Sequence, residues 1–238
     1  MTEEQSHPNK ESIEEILASF RMASERKRIG LLNGLEERVE DLFGLGSSLM
    51  SSFDPEEYDW SAGFVLQLIH KSDENFIRKN LKCHDLSWFK TPSSVGIDYS
   101  PLQRYLLKES FEDADRFTSS KLRELAGEKA VKRGYVYFSE VESIPCIDLY
   151  TLDKLWIVYS RGKFGFTVQA KILDSLGGRY DKLWPRIGWK NDGIWTRYPK
   201  AFNWSIEAPN GHMPLVNQLR GVRLMDALLN HQAFIGKN

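Results

Sequence analysis

The sequence predicts an all-α protein in two parts: an N-terminal helical bundle over residues 1–83 and a second helical domain over residues 84–238 that carries a long aromatic loop. Three observations predict it. Apolar residues recur at helical spacing in one segment after another, the ends of those segments carry capping residues, and strand-like alternation is confined to the short run GYVYF.

In order, Ile13, Ile16, Leu17 and Phe20 stand at offsets of one helical face, with Ser12 placed to cap them. Leu35, Val39 and Leu42 continue the period in a second segment that ends in GLGSS, and Phe64, Leu68 and Ile69 mark a third. Such segments pack as a small antiparallel bundle. The stretch HDLSWFKTPSSVGIDYS then loses the period and gathers Pro, Ser and Gly, which places the domain boundary at residue 84.

Beyond it, Ser100 reads as an N-cap with Pro101 at the first helical position. Ser110 and Asp113 resemble a capping box for a helix that runs to Gly127. Asp148 is placed to cap LYTLDKLWIVYS, which stops at Gly162, and TVQAKILDSL stops at Gly177 and Gly178. Pro214 is expected to open the last helix, PLVNQLRGVRLMDALLNH.

Charge separates the two parts. Residues 1–80 carry 16 acidic and 9 basic side chains, net −7, whereas residues 81–238 carry 17 and 23, net +6. The cationic excess is concentrated in residues 154–238, with 13 basic against 5 acidic side chains, and implies an anionic partner: nucleic acid, a membrane surface, or a small carboxylate or phosphate ligand. No apolar run approaches the roughly 20 residues that cross a bilayer, and the acidic start lacks the pattern of a leader peptide, so the expectation is cytoplasmic residence. Cys83 and Cys146 are then thiols.

Catalytic signatures are missing. GLGSSL lacks the third glycine of a dinucleotide loop, and no phosphate loop, nucleophile elbow, C-x-x-C or H-E-x-x-H occurs. The five histidines are scattered, and Asp113 and Asp115 lie two apart on a helix and face different directions. Neither a catalytic residue nor a metal ligand is assigned; His212, a lone histidine beside Met213-Pro214, reads as a packing or capping residue rather than an axial ligand.

The informative stretch is RIGWKNDGIWTRYPKAFNW, residues 186–204. Four of the seven tryptophans, Trp184, Trp189, Trp195 and Trp204, fall between residues 184 and 204, interleaved with Arg186, Lys190, Arg197 and Lys200. Each indole alone reads as core; together they exceed what one loop needs for its own anchoring, so some are expected to face a cleft. Asn217, Arg220 and Leu224 share a face of the last segment, with Arg223 three beyond Arg220. Flat rings beside guanidinium groups suit stacked nucleobases on a phosphate backbone or a flat conjugated macrocycle with carboxylates.

The succession VGIDYSPLQRYLL, FEDADRFT, YFSEVESIPCIDLYTLDKLWIVYSRGKFGFTVQ, RIGWKNDGIW, APNGHMPL and NQLRGVR resembles the genomes-uncoupled-four family from about Val95 to His231. The resemblance implies an all-helical cupped hand that binds protoporphyrin IX and Mg-protoporphyrin IX without catalysis and stimulates magnesium chelatase in chlorophyll biosynthesis, through the large porphyrin-handling subunit of that enzyme. An upstream bundle is similar to the arrangement of cyanobacterial members. It further implies that Phe138 and Val141 lie on the palm, that Trp189, Trp195 and Tyr198 belong to a finger closing over the macrocycle, and that Asn217, Arg220 and Arg223 form a polar rim. Met213, which stands where the family pattern has leucine, is implied to be a further porphyrin contact. The expectation is a monomer with no transmembrane segment, in contact with photosynthetic membranes only peripherally. The alternatives are a single-stranded nucleic-acid module and a bilin-binding protein.

Overall fold

A computed structural model of the chain describes residues 11–81, 86–216 and 222–234. Its helices are α1 (Ile13–Met22), α2 (Glu25–Glu36), α3 (Val39–Gly44), α4 (Trp60–Ser72), α5 (Glu74–Asn80), α6 (Ser100–Leu107), α7 (Phe111–Leu125), α8 (Glu128–Arg133), α9 (Cys146–Val158), α10 (Phe166–Ser175), α11 (Tyr180–Arg186) and α12 (Val222–Leu229). The described sheet is one hairpin, β1 (Lys190–Asn191) against β2 (Ile194–Trp195), and the fold is mostly helical as expected.

Helix α1 follows its sequence signals closely. Ser12 and Glu15 form a capping box, and Ile13, Leu17 and Phe20 are buried. The period shared by Leu35, Val39 and Leu42 belongs instead to two helices. The chain breaks at Glu37 and Arg38, where the Arg38 guanidinium donates to Asp41 and to the Glu11 carbonyl at 2.7 and 2.8 Å.

Helices α4 and α9 are buried around most of their circumference, as core helices are. They pack on each other with Gly63 of α4 against the backbone of Val158, so the first part of the chain leans on the second. The Gln67 side chain reinforces this contact, donating to Tyr159 O at 2.8 Å and Leu106 O at 2.9 Å. The boundary at residue 84, with Cys83 and His84, lies outside the described residues.

Several caps differ from expectation. Ser100 is the first residue of α6, and its N–H is accepted by Asp98 at 2.9 Å. Ser110 precedes α7 without a side-chain cap. Asp148 sits inside the first turn of α9, where its carboxylate accepts from Ser93 Oγ, Ser94 Oγ, Ser94 N and Tyr99 OH, tying the irregular 86–99 segment to the core. Burial pushes this carboxyl up, but the hydrogen bonds outweigh it and hold its pKa below the usual value.

GYVYF is not a strand. Gly134 closes α8 in the left-handed region (φ 84°), and the chain turns into a 3-10 segment, Phe138–Ser143. Pro214 does not open a helix: residues 214–216 are non-helical and α12 begins at Val222.

Candidate functional site

A hollow of about 350 Å³ opens between α7, the Gly134–Ile144 segment and α12. Its floor is apolar: Val136, Val141 and Ile144 come from the turn after α8, and Leu224 and Leu228, four apart, from one face of α12. Asp115, Ser119, Leu122 and Arg123 line it from α7, at offsets of 4, 7 and 8 that share a helical face. Leu215 and Val216 close one side and Tyr198 overhangs another.

Asp115 is the unusual group. It is 1% exposed, and its Oδ1 accepts the Leu215 N–H at 2.6 Å. Burial, with a smaller push from Glu112, raises its pKa to about 7 against the pull of Leu215 and Arg116. A carboxyl that exchanges its proton near neutrality therefore sits in the wall of an apolar hollow.

The finger is a built element. Asn191-Asp192-Gly193-Ile194 makes a two-residue hairpin turn with positive φ at Asp192 (47°) and Gly193 (81°), the combination that Asp-Gly accommodates. Its base is fixed by Trp189, whose indole N–H donates to the His212 carbonyl at 2.7 Å and whose ring stacks on Trp184, centroids 5.6 Å apart and planes 8° from parallel. His212 Nδ1 in turn meets the Ile187 carbonyl at 2.6 Å. Gly188 lies close under that imidazole with φ 75°, so a side chain there would meet both backbone strain and the His212 ring.

The expected site residues separate accordingly. Val141 and Tyr198 line the hollow. Trp189 and Met213 are fully buried and line the core rather than the hollow: the Trp189 indole spends its N–H and its face on the finger's own base, and the Met213 carbonyl accepts from Gly165 N. Trp195 is half-buried against Trp184, with the Lys190 ammonium 5.3 Å from its ring. Phe138 is exposed on the 3-10 segment, and the Arg223 guanidinium carbon lies 5.5 Å from its ring centre, so these two form one patch beside the hollow. Asn217 and Arg220 lie outside the described residues.

Sequence reasoning assigns none of Asp115, Ser119 and Arg123 to a site; their common spacing on α7 is the available signal. It also misses the finger's tip, Ile194, which is 73% exposed. The Asn-Asp-Gly run was the sign of a hairpin there.

His212 is buried, which lowers its pKa, and among the described residues no group of three or more His, Cys, Asp or Glu side chains could hold a metal ion. None of the described helices is long and apolar enough to cross a membrane.

Residues 92–232 match the GUN4-like family. The chain is similar to a Ycf53-like protein of Synechocystis, 40% identical over 223 residues that make up 93% of this chain and 96% of that one. It is 37% identical over 145 residues to the chloroplastic tetrapyrrole-binding protein of Arabidopsis thaliana, covering 57% and 55% of the two chains. Among solved structures it resembles GUN4 from Chlamydomonas reinhardtii, with a TM-score of 0.58 and 41% identity over 61% of this chain and 95% of that one.

Proposed function

Because this chain belongs to the GUN4-like family, we propose that the hollow between α7 and α12 binds a tetrapyrrole, protoporphyrin IX or its magnesium derivative, and that the protein is a non-catalytic accessory of magnesium chelatase. The observation that carries the reading is the hollow itself. It is open to one side, within the size range of small-molecule sites, floored by Val136, Val141, Ile144, Leu224 and Leu228, and has charged groups only along one wall. A flat apolar ring with acidic substituents can bury its faces on such a floor and leave its substituents at the edge.

The residues present fit that ligand. Covering the floor removes apolar surface from water at roughly 25 cal/mol per Å². Tyr198 of the finger, 44% exposed and held toward α7 by its hydroxyl contact with Arg116, can add a ring edge or face worth about 0.5–1.5 kcal/mol beyond area. Phe138 and Arg223 extend the surface outward, Arg223 as a carboxylate donor.

Activation of a chelatase requires more than affinity. The porphyrin-bound form must meet the large chelatase subunit differently from the free form, since equal binding of both would only sequester pigment.

The test is an equilibrium titration of the full chain with protoporphyrin IX and with its magnesium complex, followed by a chelatase assay with purified subunits. Saturable binding and a rise in chelatase rate support both halves of the reading. Saturable binding without stimulation removes the accessory role, and no binding removes both.

A further inference from the structure

Helix α7 carries most of its charges as mutually neutralising pairs: Glu112 with Arg116 at 2.5 Å and Lys121 with Glu124 at 2.6 Å. Two charges on its hollow face stand apart from them. Asp115 is sealed in the wall at one end, bonded to the Leu215 N–H, and Arg123 lies at the other end with no ion pair to any described carboxylate. Eight residues separate them, two turns or about 12 Å along the axis, with Ser119 between. The remaining lining of the hollow is uncharged.

We propose that this stripe sets the orientation of the ligand, so that a flat tetrapyrrole acid lies in the hollow with its carboxylate edge at Arg123 and its carboxylate-free edge against Asp115. The inference rests on the tetrapyrrole reading above and assigns α7, rather than only the α12 rim, as a determinant of ligand specificity.

The physical grounds are two. A half-buried guanidinium beside an apolar floor gives a carboxylate a charge-assisted, bidentate partner in a medium of reduced dielectric, where the pairing is worth more than at an open surface. A carboxylate turned the other way would lie against Asp115, whose neighbours offer it little relief: the Arg116 guanidinium is engaged by Glu112, Tyr198 brings a hydroxyl, and Leu215 a single N–H already bonded. Like charges on a poorly solvated wall repel strongly, so one of the two in-plane orientations is favoured. Deprotonation of Asp115 sharpens the preference.

Binding of a dicarboxylate porphyrin and of its neutral bis-amide is measured for wild type, Arg123→Gln and Arg123→Lys. Arg123→Gln is expected to weaken the dicarboxylate at least about tenfold while changing the bis-amide by less than about twofold. Arg123→Lys, which keeps the charge, recovers most of the difference, and this distinguishes a charge contact from a packing role. Asp115→Asn retains an acceptor for Leu215 N–H and is expected to tighten the dicarboxylate more than the bis-amide. Equal losses for both ligands in Arg123→Gln, or no loss for either, overturn the inference. If wild type binds the bis-amide and dicarboxylate equally well, the orientation is not set by charge; if it binds neither, the tetrapyrrole reading falls as well.

Discussion

The indoles of Trp184 and Trp189 lie parallel, 5.6 Å between ring centres and 8° between planes, and form the root of the finger rather than its gripping surface. Trp189→Ala therefore empties a buried site and removes the hydrogen bond to His212 O, for an expected loss of about 3–5 kcal/mol in urea unfolding. Tyr198→Ala, at an exposed position over the hollow, is expected to leave stability within about 1 kcal/mol and to lower tetrapyrrole affinity several-fold.

That division shows what the sequence could convey. Apolar spacing and terminal glycines locate α7 and α10, and the Ser12 cap locates α1, because those signals are local; the caps expected at Ser110 and Asp148 do not form. The aromatic density of residues 184–204 marks an unusual segment, but composition does not distinguish an indole that anchors a loop from one that faces outward. In Trp189 the decision is made by the His212 carbonyl, 23 residues away in sequence. The spacing of Asp115 with Ser119 and Arg123 is legible, but its burial is not, for the same reason: its partner is the N–H of Leu215, 100 residues on. Asp148 likewise looked like a cap because its serine and tyrosine partners lie 49 to 55 residues upstream.

Gly63 lies directly under the carbonyl of Val158, where a Cβ would collide with backbone atoms that have no freedom to move. Gly63→Ala is expected to force α4 away from α9 and lower Tm by more than about 4 °C, the equivalent of more than 1–2 kcal/mol for a chain of this size. Differential scanning calorimetry checks it.

The Asp192-Gly193 turn can be perturbed without touching the core, since a Cβ at Gly193 would meet nothing within 4 Å while its φ of 81° disfavours any side chain. Gly193→Val should cost about 1–2 kcal/mol of local backbone strain while the melt stays cooperative, and weaken ligand binding through a misplaced finger tip. Parallel melting and binding curves separate the two effects.

Asp115 predicts a pH signature. Its folded-state pKa, pushed up to about 7 from 3.8, means that the folded chain holds a proton the unfolded chain releases across that window. Its contribution to stability is full below 3.8, declines as pH rises and is lost above about 7. Asp115→Asn is therefore expected to gain stability relative to wild type on going from about pH 5 to about pH 8, by on the order of 2 kcal/mol. The buried His212, whose lowered pKa acts in the opposite direction as pH falls below 6.5, affects both proteins equally and cancels in the comparison.

The central claim is that the tetrapyrrole occupies the hollow between α7 and α12. Leu122→Trp places an indole into that space from a half-buried position on α7. An absorbance titration of wild type and this variant with protoporphyrin IX tests the claim most directly. The account predicts saturable binding by wild type and at least about tenfold weaker binding by a variant whose melt is preserved; equal affinity for the two proteins would contradict it.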